Sequence, residues 1–234
     1  MGQHISYDLD GTTYVGYLAL PAGDGQAPGI LVCHEGPGIS DNTYTKADRL
    51  AELGFVAFAL DYHGGGKMVP LEDMMTALMA LITSPEKTLA RANAGLNVLL
   101  SQPRVDTSRV AAIGYCFGGT MCLELARAGT KLAAVVGFHS GLGTSTKVVP
   151  GAVTAKVLVC IGADDPMIPG EQRLAFEKEM TEAKADWQMI VYGGAQHSFT
   201  NPGADATNRP GIKYDKNADA RSWQAMRDIF AEVF

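Results

Sequence analysis

Short runs that are apolar at nearly every position recur along this chain, separated by stretches in which apolar residues return at helical spacing. The runs Gly29-Ile-Leu-Val-Cys33 and Phe55-Val-Ala-Phe-Ala-Leu60, the run entering Gly114, and those at 132–138, 156–161 and 187–192 are five to seven residues long and bounded by turn residues. That length and continuity mark strands buried on both faces of a parallel sheet. The opening is different. Residues 3–8 and 12–20 meet at Asp10-Gly11, a hairpin signal, with alternation in Tyr14, Gly16, Leu18 and Leu20, which predicts an antiparallel start. Helices are expected over 44–53, stopped by Gly54, over 71–83, and over 85–102, where Ser84 stands as cap and Pro85 as first residue. Three more are expected from the turn at 116 to about 128, over 170–184, and over 214–234, where Trp223, Met226, Ile229 and Phe230 share a face. The alternation predicts one α/β domain over 1–234, a doubly wound, mostly parallel sheet with an antiparallel N-terminal edge.

In such sheets chemistry gathers at the carboxyl ends of the strands. Cys33 to Glu35, Asp61 to His63, Cys116, His139, Asp164-Asp165 and Gln196-His197 all follow predicted strands. The sharpest of these stretches is 109–120, Arg-Val-Ala-Ala-Ile-Gly-Tyr-Cys-Phe-Gly-Gly-Thr. In the pattern G-x-C-x-G the small flanking residues let strand and helix approach, so the central side chain projects from a strained corner. The first amides of the next helix then face whatever Cys116 attacks, and the helix dipole favours a thiolate. The commonest form of the motif carries Ser here, and a cysteine beside a tight turn is also an ordinary buried residue.

Order along the chain strengthens the catalytic reading. A nucleophile at such an elbow is followed by an acid and then a histidine. After His139 only His197 remains, in Gly193-Gly-Ala-Gln-His-Ser-Phe199, and the preceding strand is followed by Gly162-Ala-Asp-Asp-Pro-Met-Ile-Pro169. Either Asp164 or Asp165 can orient an imidazole through its Nδ1 hydrogen. A loop histidine and a helix-capping aspartate explain each residue singly; together, in the required order, they fit a triad better.

Composition narrows the class further. With 234 residues, 47% of them hydrophobic, the chain can bury one large core. A net charge of -6 without a basic run gives no footprint for nucleic acid or an anionic membrane. The first residues lack the basic and apolar regions of a signal peptide, and no apolar stretch reaches the length of a span, so a cytoplasmic protein is expected. The Met1-Gly2 start with Ser6 meets a weak myristoylation pattern that is set aside. Cys33, Cys116, Cys122 and Cys160 are widely spaced thiols rather than a disulfide framework, and His34-Glu35 does not complete a zinc motif. No metal or cofactor is expected.

The Gly114-Tyr-Cys-Phe-Gly-Gly119, Gly162-Ala-Asp-Asp-Pro-Met-Ile-Pro169 and Gly194-Ala-Gln-His-Ser-Phe199 blocks together resemble the dienelactone hydrolase family of the α/β-hydrolase fold, over nearly the whole chain. The resemblance implies Cys116 as nucleophile, His197 as base and Asp165 as acid, with Asp164 a capping or supporting group. It also implies that Glu35 contacts the resting cysteine and helps deprotonate it when substrate arrives, and that the amides of Gly36 and Phe117 hold the oxyanion. A carboxylate near the sulfur keeps the thiol protonated by like-charge repulsion. The reaction implied is hydrolysis of a small ester, lactone or thioester through an acyl-enzyme, without cofactor, by a monomer or small homo-oligomer. Where the family binds a substrate carboxylate with arginines, this chain has Asn201 and, after the 55–60 strand, Asp61-Tyr-His-Gly-Gly-Gly-Lys67. Dienelactone itself is therefore not the expected substrate. Lys67, His139 and Asn201 are assigned as substrate contacts, while His34 and His63 have no place in the triad order. Two rival readings keep the fold, a redox-reactive Cys116 thiol and a catalytically silent binding module.

Overall fold

The computed structural model describes residues 2–234. A hairpin of β1 (Gln3–Leu9) and β2 (Thr12–Ala19) opens the chain, and both turn residues take positive φ, Asp10 at 50° and Gly11 at 75°. That is the turn an Asp-Gly pair favours. There follow β3 (Ala27–Cys33), α1 (Asp41–Glu52), β4 (Val56–Leu60), α2 (Leu71–Ile82), α3 (Pro85–Leu100), β5 (Val105–Tyr115), α4 (Phe117–Arg127), β6 (Ala134–Phe138), β7 (Lys156–Gly162), α5 (Gly170–Glu182), β8 (Trp187–Tyr192) and α6 (Lys216–Val233). The strands form one mostly parallel sheet in the order β1-β2-β4-β3-β5-β6-β7-β8. β1 and β2 pair antiparallel, as do β2 and β4, while β3 and β4, β6 and β7, and β7 and β8 run parallel. The fully apolar runs are the buried ones, with every residue of β4 and β6 inside. Among the described residues, no helix is long and apolar enough to cross a membrane.

The chain divides into two compact units at Ile113 and Gly114. In the first, Asp61 shapes the loop after β4. Its buried carboxylate accepts from the amides of Val15, His63, Gly64 and Gly66. Gly64, Gly65 and Gly66 all have positive φ, which is why three glycines stand together there. Residues 36–38 lie against 67–69 through a Gly38–Met68 bridge and a bond from the Val69 amide to the Pro37 carbonyl. In the second unit α4 is buried along nearly its whole length, and α6 packs inward through Trp223, Met226, Ile229 and Phe230. The buried Arg127 guanidinium is held by Glu124, Glu179 and the Leu142 carbonyl.

Element ends differ from expectation where polar residues carry them. β5 begins at Val105 rather than 109, because Asp106, Thr107 and Ser108 hide the strand behind polar side chains. α1 begins at Asp41 rather than 44, its exposed first residue being acidic as a helix start prefers. Ser84 precedes α3 as expected, yet its hydroxyl bonds the Glu86 carboxylate and caps no backbone amide.

Candidate active site

The elbow is built by what its glycines leave out. A Cβ on Gly114 would lie 2.2 Å from the Gly118 carbonyl oxygen, so only glycine lets β5 and α4 meet so closely. Gly119 is as tightly placed, its missing Cβ falling 1.7 Å from Ser140 Oγ. Between them Cys116 has φ 54° and ψ -124°, a left-handed backbone unusual for a side-chain-bearing residue. Its amide donates to the Phe138 carbonyl at 3.0 Å and its carbonyl accepts from the Gly119 amide at 3.1 Å. Alone of the four cysteines it is partly exposed. Phe117 begins α4, in the first turn where amides point out of the helix.

His197 is brought to this elbow by the turn after β8. Its amide donates to the Gly211 carbonyl at 2.9 Å, and its carbonyl accepts from the Lys213 amide at 3.0 Å, so the backbone is fixed on both sides. Nδ1 lies 2.8 Å from Asp165 Oδ2. Asp165, 4% exposed, uses its other oxygen to accept from the Met167 amide at 2.8 Å, whereas the neighbouring Asp164 is exposed. A carboxylate on Nδ1 holds the hydrogen there and leaves Nε2 as the basic nitrogen. Nε2 is buried and has no regular hydrogen-bond partner, yet Cys116 acts on the ring. Burial alone would lower the imidazole pKa. It is outweighed by the charge of a Cys116 thiolate, by the Asp165 bond and by an interaction with the sulfur, and the value rises to about 10. These three side chains, from three separate loops of one unit, can pass a proton between sulfur and imidazole while the aspartate fixes the ring.

The other assigned residues lie as follows. His139 is fully buried at the end of β6, with φ 41°. Its Nε2 shares a hydrogen bond of 2.9 Å with the Thr200 hydroxyl and its ring lies 5.1 Å from that of His197, so no part of it meets solvent. Asn201 is half-buried, and its Oδ1 accepts from the Gly203 amide at 2.9 Å, closing the turn after His197. Glu35, Gly36 and Lys67 belong to the first unit. There the Glu35 carbonyl accepts from the Tyr62 hydroxyl at 2.9 Å and the His34 ring at 2.7 Å, and the Gly36 carbonyl accepts from His63 Nε2 at 2.8 Å. The Tyr62 amide donates to His34 Nε2, so His34 is neutral with its hydrogen on Nδ1. Burial agrees with this, lowering its pKa to about 3. Burial also lowers the pKa of His63. Lys67 is exposed. Among the described residues, no three His, Cys, Asp or Glu side chains cluster as metal ligands do.

Thr200, the carbonyl of Phe138 and Tyr62 are parts of these surroundings that sequence reasoning did not find. Tyr62 lies between Asp61 and His63, in a stretch marked by its place after a strand, but nothing in the sequence pattern points to the other two.

Comparison with known proteins adds the family. The model of the dienelactone hydrolase family matches residues 15–234. A Bradyrhizobium protein named "Probable 2-oxo-3-(5-oxofuran-2-ylidene)propanoate lactonase" is 31% identical over 86% of this chain and 85% of its own. A dienelactone hydrolase-like promiscuous phosphotriesterase from metagenomic libraries, solved as a crystal structure, is 39% identical with a TM-score of 0.95, over 100% of this chain and 98% of its own. The solved protein m3DLH is 41% identical with a TM-score of 0.93 over the same shares.

Proposed function

The chain belongs to the dienelactone hydrolase family, and from that membership we propose that it hydrolyses small esters and lactones by acyl transfer through Cys116, with His197 as base and Asp165 as the acid that orients it. The observation that carries this reading is one imidazole held by Asp165 on Nδ1 and acted on by Cys116, the residue at a positive-φ elbow.

With the Cys116 proton passed to His197, the sulfur attacks the carbonyl carbon and the π electrons move to oxygen. The Phe117 amide, in the first turn of α4, receives that oxyanion, and the family resemblance adds the Gly36 amide. Collapse breaks the bond to the leaving oxygen, which takes the proton from His197. The neutral imidazole then takes a proton from water as it attacks the thioester, and a second collapse releases the acid and returns the proton to the Cys116–His197 pair. Glu35 is included, by the same resemblance, as the carboxylate that contacts the cysteine and helps deprotonate it. No step requires a cofactor.

Release of p-nitrophenol from p-nitrophenyl acetate tests the reading: the natural protein turns over and Cys116→Ala does not. Equal rates in the two would refute it. A second substrate class is favoured by the likeness to the solved phosphotriesterase over the full chain. The same sulfur is then expected to attack phosphorus in diethyl p-nitrophenyl phosphate, with p-nitrophenol release that also requires Cys116.

A further inference from the structure

Two residues at the end of β6 touch both halves of the proposed chemistry. The Phe138 carbonyl accepts the amide of Cys116 at 3.0 Å. The ring of the next residue, His139, stands edge-on to His197 at 5.1 Å with 67° between the planes, and edge-on to Phe199 at 5.2 Å with 80°. Its Nε2 is bonded to Thr200, three residues beyond His197. We propose that the Phe138-His139 step is a bracket setting the separation of nucleophile and base, with His139 and Thr200 as positioning residues; the inference rests on the reaction proposed above.

The backbone supports this. At φ 41° His139 occupies a conformation that glycine or asparagine adopts more readily, and it is fully buried. Its amide nonetheless donates to the Cys160 carbonyl at 2.8 Å, so the residue stays laddered to β7 while its ring reaches the His197 turn. A strained, buried, non-glycine residue persists where its surroundings over-determine it, and such residues cluster at functional sites. The following residues fasten the bracket to α4. Ser140 Oγ donates to the Phe138 carbonyl at 3.2 Å, and Thr120 Oγ1 donates to the Gly141 carbonyl at 2.9 Å. The elbow and the base turn are thus anchored to the same short segment.

The test uses His139→Asn, which tolerates the backbone but lacks the ring, and Thr200→Val, which keeps the shape but loses the hydroxyl. On p-nitrophenyl acetate each is expected to lower kcat by about 10- to 100-fold, the scale of a misplacement near 1 Å, with KM little changed. Thr200→Ser should restore most of the rate. The double variant should lose less than the two single losses combined, because the two share one contact. The His197 ring proton, followed by NMR against pH, should titrate at lower pH in both variants than in the natural protein. Variants that melt like the natural protein, keep kcat and leave the His197 titration unmoved would overturn the proposal, as would fully additive losses. If His139→Asn does not fold, Thr200→Val decides alone. If the natural protein proves not to be an esterase, the hydrolytic reading fails while the His197 titration in Thr200→Val still judges the bracket.

Discussion

Asp164 and Asp165 are adjacent and chemically identical, yet only one meets His197. Asp165→Asn is expected to reduce kcat by roughly 10⁴, the scale of the same change in a serine protease triad, because an amide favours the wrong imidazole tautomer. Asp164→Asn, at an exposed position, should stay within about threefold of the natural rate. The comparison is made on steady-state turnover of p-nitrophenyl acetate. Spacing in the sequence leaves this choice open, since neighbouring side chains in a turn point different ways, and there only the family resemblance favoured Asp165. His139 shows the same limit: a histidine after a strand reads alike whether it faces substrate or packs inward on Thr200. His197 also carries a pH signature. Its folded pKa, about 10, lies above the ordinary 6.5, so the native state holds a proton that the unfolded chain releases in between. Its contribution to stability is therefore complete below about pH 6.5 and lost as pH rises through about 10. We predict an NMR midpoint for His197 far above 6.5, falling in Cys116→Ala; a midpoint near 6.5 in the natural protein would contradict the assignment.

At the scale of elements, the buried strands and the elbow were the most readable parts. Continuous apolar runs have few other uses in a chain of this kind, and β4, β6 and β7 lie within two residues of their expected ends. The polar first turn of α1 and the polar start of β5 were not readable, because there hydrogen bonding rather than burial sets the boundary. The glycines of the elbow were readable for the right reason, close approach. Gly114→Ala puts a methyl group 2.2 Å from a backbone oxygen that cannot step aside. It should destabilise the protein by about 1 to 3 kcal/mol, lowering the melting temperature by several degrees, and reduce activity further by moving Cys116. Gly193→Ala, where a Cβ meets nothing within 4 Å, is the matched control and should change the melting temperature little.

For the whole molecule, a net charge of -6 offers no general attraction to anionic substrates. Asn201 spends its carbonyl oxygen on the Gly203 amide, and Lys67 is exposed. A charge-assisted contact contributes roughly 1.5 to 3 kcal/mol, or about 10- to 100-fold in binding. We therefore expect kcat/KM for a carboxylate-bearing lactone to exceed that for its neutral methyl ester by less than about tenfold. A larger preference that disappears in Lys67→Met would identify that lysine as the anchor instead. The α/β order, the antiparallel N-terminal edge and the three motif blocks were legible because each is set by local sequence; substrate choice was not, because it depends on where loop side chains reach. The most direct measurement of the central claim is mass spectrometry of the protein quenched in acid during turnover of p-nitrophenyl acetate, followed by peptide mapping. One acetyl group is expected on Cys116 of the natural protein, formed more slowly in His197→Ala, which lacks the base for the attack, and absent from Cys116→Ala. Acetyl on another residue with Cys116 unmodified, or undiminished turnover by Cys116→Ala, would contradict it.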